Sequence, residues 1–408
     1  MTQAPLLAET MSMPARPKVA HTGPNPPLWR DPAKRALLFQ LLLIAAVVAF
    51  LLYIVGNTQD NLAARGITTG FGFLDRTAGF GISQTLIDYS SQSTYGRTFV
   101  VGLLNTLLVG GLGVLAATIV GFIVGIARLS PNWLIARLAN AYIEIFRNIP
   151  LLLQIFFWYF TVLRAVPSPR DSLSLGEVVF LNVRGLFLPK PLFESGFGLI
   201  PLALGIAVVA SVVLIVWNKR RQEATGKRLP AGWIALGLII GLPLLVLLGT
   251  GVPVTWEVPE LRGFNFRGGV TVIPEFLALW LALTIYTASF IAEIVRSGIQ
   301  AISHGQTEAA QALSLPQGLV LRLVVVPQAM RVIIPPMTSQ YLNLIKNSSL
   351  ATAIGYPDLV SVFAGTTLNQ TGQAIEVIAM TMAVYLTISL LVSMFMNWFN
   401  ARVALVER

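Results

Sequence analysis

Apolar runs of about 20 residues recur along this chain, and that is the length an α-helix needs to cross a lipid bilayer. The first runs from Ala36 to Val55, and others occupy roughly residues 99–127, 138–164, 197–217, 231–249, 274–296, 328–350 and 374–399. Inside a bilayer every backbone N–H and C=O must find its partner within the protein, which leaves helices or closed barrels. The regular ten-residue alternation of a barrel is missing. The expectation is an all-α integral membrane protein with about eight transmembrane helices. Only 11% of the residues are charged, against about 25% in a soluble domain.

Charge distribution sets the orientation. Lys34 and Arg35 precede the first run, so it enters from the cytoplasm. With eight spans, 17 of the 28 Lys and Arg fall on the cytoplasmic side and nine outside, as the positive-inside rule requires. Both termini are then cytoplasmic. The net charge of +10 does not point to nucleic acid, because the basic residues collect at span ends. Residues 1–33 hold seven Pro and read as a disordered cytoplasmic tail. Residues 34–98 read as the first transmembrane helix with a periplasmic loop, and 99–400 as the main transmembrane domain. Arg147 and Pro150 interrupt the third span, whose cytoplasmic part reads either as span or as a separate interfacial helix. The outer loops at 57–98 and 164–196 are rich in Gly, Ser and aromatics such as Phe71, Phe73, Phe80 and Tyr89. They read as irregular segments on the outer surface, either plain connectors or contacts for an external partner. No internal repeat is visible, which weakens readings built on inverted repeats.

Catalytic chemistry has little to work with. There is no Cys, and the two His, His21 and His304, have no triad context and form no metal site. A P-loop is absent, so the chain itself should not hydrolyse ATP. The polar residues in or near spans are Asn105, Glu144, Arg147, Gln154, Glu293, Lys346 and Asn347. A charge there costs about 2.5–3.5 kcal/mol on insertion scales, so each faces a bundle interior, a wet path or the interface. Glu144 and Arg147, three apart, are placed to neutralise each other. Ser289 and Glu293 share a helix face, with Thr287 less than a turn away. They form either a site for an ammonium group, such as that of an amino acid, or a structural set in which Glu293 pairs with Arg296. The stretch from Tyr341 through Lys346, Asn347 and Ser348 offers a cation and hydrogen-bonding groups to a carboxylate, or else is a self-capped helix end.

One long stretch between spans is polar. In Ile302 to Pro336, Ser303 and Gln306 have capping-box spacing. A short helix is expected over Thr307 to Leu315, with Glu308 in its first turn and Ala309, Ala310 and Ala312 as a small face. Pro316 ends it. Such a helix is either a docking surface for a cytoplasmic partner or a connection.

The order of residues in this stretch resembles the EAA loop of ABC importer permeases: Glu308-Ala309-Ala310, a small residue at Ser314, then a basic-apolar run into Val326-Pro327. The family's usual residue at the Ser314 position is Gly. The resemblance extends over most of residues 66–400. Gly102-Leu-Leu-Asn105-Thr106-Leu107 is similar to the start of the permease core in polar amino acid importers. Arg147-Asn148-Ile149-Pro150-Leu151 with Gln154 resembles their Arg-Gly-Thr-Pro-Leu element, departing from it at Asn148 and Ile149. Ile345-Lys346-Asn347-Ser348-Ser349-Leu350 is similar to the segment after the coupling loop. The stretches GFGFLDRTAGFGISQTLIDYS and NFRGGVTVIPEFLALWLALTIYTASFIAEIVRSGI resemble the general L-amino acid permease subgroup.

The resemblance implies a type I importer transmembrane domain, a five-helix core with three added spans, in the cell inner membrane. It implies a coupling loop at 302–320, with Glu308, Ala309, Ala310 and Ser314 at the ATPase contact; the candidate substrate residues, read from their own chemistry, are Thr287, Ser289, Glu293, Asn347 and Ser348. The implied partners are a cytoplasmic ABC ATPase dimer, a second permease subunit, a periplasmic amino acid-binding protein and membrane lipid. No cofactor is expected on this chain; ATP and Mg belong to the ATPase. An ion-coupled secondary transporter for a small polar solute and a membrane-embedded enzyme or assembly factor are the competing classes.

Overall fold

The computed structural model describes residues 32–64, 69–227 and 229–403. The tail expected over 1–33 therefore lies outside the described residues but for its last two. The chain divides into two units, Met1–Thr69 and Gly70–Arg408. The first holds one described helix, α1 (Pro32–Ala64), whose apolar window buries none of its surface. A helix apolar on every side and unburied is one built to face lipid.

The second unit is helical with short strands on one side. Its long helices are α2 (Tyr95–Arg128), α3 (Trp133–Asn148), α4 (Leu151–Phe156, continuing as a π-helical stretch Phe157–Leu163), α5 (Leu199–Thr225), α6 (Ala231–Gly249) and α7 (Pro274–Gln300). After them come α8 (His304–Ala312), α9 (Gln317–Val320) with a π-helical stretch Leu321–Val325, and α10 (Val326–Asn347). A 3₁₀ segment Ser348–Ile354, a π-helical stretch Val360–Thr367, α11 (Leu368–Thr371) and α12 (Ala374–Val403) complete the chain.

Among the described residues seven helices are long and apolar enough to span a membrane. α3 and the segment from Leu151 to Leu163 make an eighth if counted as one span, bent by 106°. The interruption at Arg147 and Pro150 is thus a sharp corner. Gln154 secures it by donating from Nε2 to the carbonyls of Phe146 and Ile149, both at 3.0 Å. Those carbonyls are the unpaired ends that a broken helix leaves.

The core is the α2–α7 pair, flanked by α3, α4 and α10. Glycine allows the close approach. A Cβ on Gly121 would lie 2.6 Å from Ile291, and one on Gly125 2.7 Å from the Ala292 carbonyl. Small residues at a crossing let backbones pack in lipid, where no hydrophobic force pulls helices together. Ala278, Leu279, Ala282, Leu283, Ala288 and Ile291 of α7 are fully buried in this core.

The outer loop at 164–196 is not irregular, which corrects its reading. β1 (Leu173–Leu175), β2 (Val179–Asn182) and β3 (Gly185–Leu188) form an antiparallel sheet completed by β8 (Val270–Val272) from the next outer loop. β4 (Lys190–Phe193) pairs with β5 (Val254–Glu257), and β6 (Glu260–Arg262) with β7 (Asn265–Arg267). Phe180 and Phe187 pack on Phe266 at 4.5 and 5.0 Å between ring centres. These strands put the loops before α5 and after α6 on one side of the protein, as the charge count requires of a helical hairpin.

Candidate functional site

Gly102, Asn105 and Thr106 form a grip at the start of α2. A Cβ on Gly102 would come within 2.9 Å of the Leu359 Cα. Asn105 donates from Nδ2 to the Pro357 carbonyl at 2.9 Å, and its own carbonyl accepts from the Tyr356 hydroxyl at 3.1 Å. Thr106 Oγ1 accepts from the Leu359 amide at 3.0 Å. The connection between α10 and α12 is thereby held against α2, with Asp358 in its centre, 0% exposed. The Asp358 carboxylate accepts from the Ser361 amide at 2.8 Å, and Tyr385 Oη on α12 lies 3.4 Å from its Oδ2. Burial pushes the Asp358 carboxyl up to about 7, against the weaker pull of these donors. The hydroxyls of Ser348 and Thr106 also face Tyr385.

The outer side of Tyr385 lines a cavity of about 540 Å³ between α10 and α12, with Lys346, Ser349, Thr381 and Ser389 around it and Val360, Met382 and Leu386 as apolar wall. Of the sequence candidates at the end of α10, Lys346 and Ser349 reach this cavity. Ser348 is fully buried behind it, its Oγ donating to the Ile345 carbonyl at 2.7 Å. Asn347 is half-buried and does not line it. Asp358, Thr381 and Tyr385 were missed by sequence reasoning. The available signal was a lone acidic residue next to an apolar segment.

The α7 candidates do not come together. Thr287 and Ser289 are buried in the helix contact, and Ser289 Oγ donates to the Tyr286 carbonyl at 2.6 Å. Glu293 lines a separate cavity of about 360 Å³ with Arg128, Glu144, Arg147, Asn148 and Phe290. It pairs with Arg296 at 2.5 Å and with Arg128 across from α2. Ser289 and Glu293 keep the shared side that four-residue spacing gives them on α7, but Ser289 is fully buried while Glu293 reaches the cavity. The pairing of Glu144 with Arg147 is not found either. Glu144 accepts from Asn140 at 2.7 Å, and Arg147 sits over the Phe290 ring, 5.1 Å from its centre.

The polar loop forms a helix, with details that differ from expectation. α8 begins at His304, so Glu308 lies in its second turn and is not one of the first-turn acids that the free amides favour. Ser303 precedes it without a side-chain capping bond. Ala310 does not face outward: it is buried against Val320 and Val325, with Leu315 packed on them. Glu308, Ala309, Ala312 and Ser314 form the exposed face. The helix ends in a Schellman turn, the Ser314 amide donating to Gln311 at 2.8 Å and the Leu315 amide to Ala310 at 3.4 Å. Ser314 is left-handed there, with φ +59, at a cost of about 1–2 kcal/mol that Gly would not carry.

Residues 226–405 match the family described as binding-protein-dependent transport system inner membrane component. The chain is 59% identical to the putative amino-acid ABC transporter permease protein YhdX of Escherichia coli (strain K12), over 93% of this chain and 96% of that one. It is 56% identical to the general L-amino acid transport system permease protein AapQ of Rhizobium johnstonii, over 93% of this chain and 94% of that one. It is 42% identical to the glutamate/glutamine/aspartate/asparagine transport system permease protein BztB of Rhodobacter capsulatus, over 93% and 96%. With its bundle of membrane-length helices and a helix set in the loop after α7, the chain belongs to the family of amino-acid ABC transporter permease subunits.

Proposed function

We propose that this chain is a translocation subunit of an ATP-driven importer that carries L-amino acids from the periplasm into the cytoplasm. The observation that carries the substrate class is the cavity lined by both Lys346 and Tyr385, with the buried Asp358 behind Tyr385. An amino acid brings a carboxylate and an ammonium group to any site. Lys346 offers a cation to the first; Thr381, Ser389 and the Tyr385–Asp358 pair offer oxygens to the second. The apolar wall of Val360, Met382 and Leu386 accepts varied side chains.

In this reading ATP and Mg bind a separate cytoplasmic ATPase dimer, and the exposed face of α8, with Glu308, Ala309 and Ser314, meets it. A second, related permease subunit completes the path, and a periplasmic binding protein delivers substrate to the outer loops. The location is the inner membrane with both termini cytoplasmic. ATP drives the change only if it binds the outward-facing state better than the inward-facing one. Nothing in the site or in the relatives favours an ion-coupled secondary transporter.

Affinity purification of the full chain in mild detergent tests the assembly. Co-purification of an ABC ATPase and a second permease is the expected result. A chain that purifies alone from cells expressing its neighbours contradicts it.

A further inference from the structure

The α5–α6 hairpin stands at the side of the bundle. Its helices pack chiefly on each other, burying Ala203, Ala207 and Ser211 of α5 and Ala231 and Ala235 of α6. Ser211 Oγ donates to the Ala235 carbonyl at 3.3 Å. At the cytoplasmic end of the hairpin is a cavity of about 900 Å³. One side comes from the hairpin, with Lys219, Gln222 and Trp233; the other is Arg322, in the π-helical stretch that follows α8 and α9.

The cavity has a fixed frame. Asn218, buried at its edge, donates to the Leu229 carbonyl at 3.2 Å and accepts from the Leu229 amide at 3.1 Å. That pair of bonds locks the turn onto α5. No carboxylate lines the cavity, and neither Lys219 nor Arg322 has an ion-pair partner among the described residues. Two cations lining one cavity without a counter-charge make it a favourable place for an anion. The level in the membrane is marked by Trp217 and Trp233, both exposed, with Arg221 over the Trp217 ring at 5.3 Å. Exposed Trp with basic neighbours is the signature of the headgroup layer. Ile215 and Leu229 give the cavity an apolar edge, continuous with exposed Val212 and Val216 on α5.

We propose that this cavity binds the phosphodiester headgroup of an anionic glycerophospholipid, and that the bound lipid ties the α5–α6 hairpin to the segment behind α8. The phosphate lies between Lys219 and Arg322, and the acyl chains run along the apolar face of α5. A zwitterionic headgroup brings its ammonium group against the same two cations. Free phosphate has no chains for the apolar edge. Basic pockets on the cytoplasmic side between helices are where anionic headgroups bind.

The test is native mass spectrometry of the purified full chain, titrated with phosphatidylglycerol, with phosphatidylcholine and with inorganic phosphate as competitor. The expected result is preferential retention of phosphatidylglycerol, undisturbed by millimolar phosphate, and reduced about 30-fold in Lys219→Gln/Arg322→Gln. Arg220→Gln, whose side chain does not line the cavity, should bind as wild type, and Lys219→Arg should retain the lipid. Equal retention of both lipids, full retention by the double variant or loss in Lys219→Arg would each overturn the proposal. Displacement by phosphate would assign the site to the free ion and overturn it as well.

Discussion

Tyr385 on α12 reaches 3.4 Å from the carboxylate of Asp358, whose neighbour Leu359 is held by Thr106 of α2 from 253 positions away. One ring thus lines the Lys346 cavity while its hydroxyl touches a fully buried acid. Hydrogen bonds to a charged group are worth about 1.5–3 kcal/mol. Tyr385→Phe keeps the cavity wall and removes that bond, and Lys346→Gln removes the cation. Each should lower amino acid uptake in proteoliposomes about ten-fold or more with normal assembly. Wild-type uptake in both would remove the cavity from the path.

Asp358 also predicts a pH dependence. Its carboxyl is raised by burial to about 7, from an unfolded value near 3.9. Between those values the folded state binds the extra proton, so stability falls as pH rises. The contribution is fully present below about pH 4 and is lost as pH rises through about 7. Thermal unfolding of the purified chain from pH 5 to 8 should show this slope in wild type and a flatter profile in Asp358→Asn. Equal slopes would place the titration elsewhere.

Glu293 is bound to Arg128 and Arg296, so removing its charge is expected to act first on packing. Glu293→Gln leaves two guanidinium groups facing each other at the end of the α2–α7 contact. The pair is partly exposed, so the expected loss is about 1–2 kcal/mol, below the full cost of breaking a buried pair. A lower unfolding temperature and less protein in the membrane, with uptake per molecule preserved, is the predicted pattern. Normal stability with lost uptake would return Glu293 to the substrate path.

These partners also show what could be read in advance. Apolar run length placed the spans, because lipid acts on local composition. The corner at Pro150 was also legible, since it depends on a few adjacent residues. The Arg128–Glu293 pair and the grip of Asn105 on Pro357 were not, because they join positions 165 and 252 apart. Strands of three or four residues are too short for alternation to register, so the outer sheet went unseen. Asp358 lies between apolar runs, and its burial depends on α2, far earlier in the chain, folding over it.

The α8 loop separates two roles for neighbouring alanines. Ala310 is part of the chain's own packing, so Ala310→Trp should disrupt the loop itself, at about 1–3 kcal/mol or more. Ala309 is exposed, so Ala309→Trp should leave the fold intact and reduce ATPase retention on the membrane. Ser314→Gly relieves the left-handed residue and should raise stability by up to about 1 kcal/mol with coupling unchanged. Membrane-retained ATPase and unfolding temperature, measured together, distinguish the three. Full ATPase retention with Ala309→Trp would count against α8 as the coupling element.

The central claim is that ATP, acting through a partner ATPase, drives amino acid movement through this chain. The most direct measurement is uptake of labelled L-amino acids by proteoliposomes containing the co-purified complex, with the binding protein on the substrate side. The expected result is uptake that requires ATP and Mg on the ATPase side and is insensitive to a protonophore. Uptake that continues without ATP and collapses when the proton or sodium gradient is removed would contradict it.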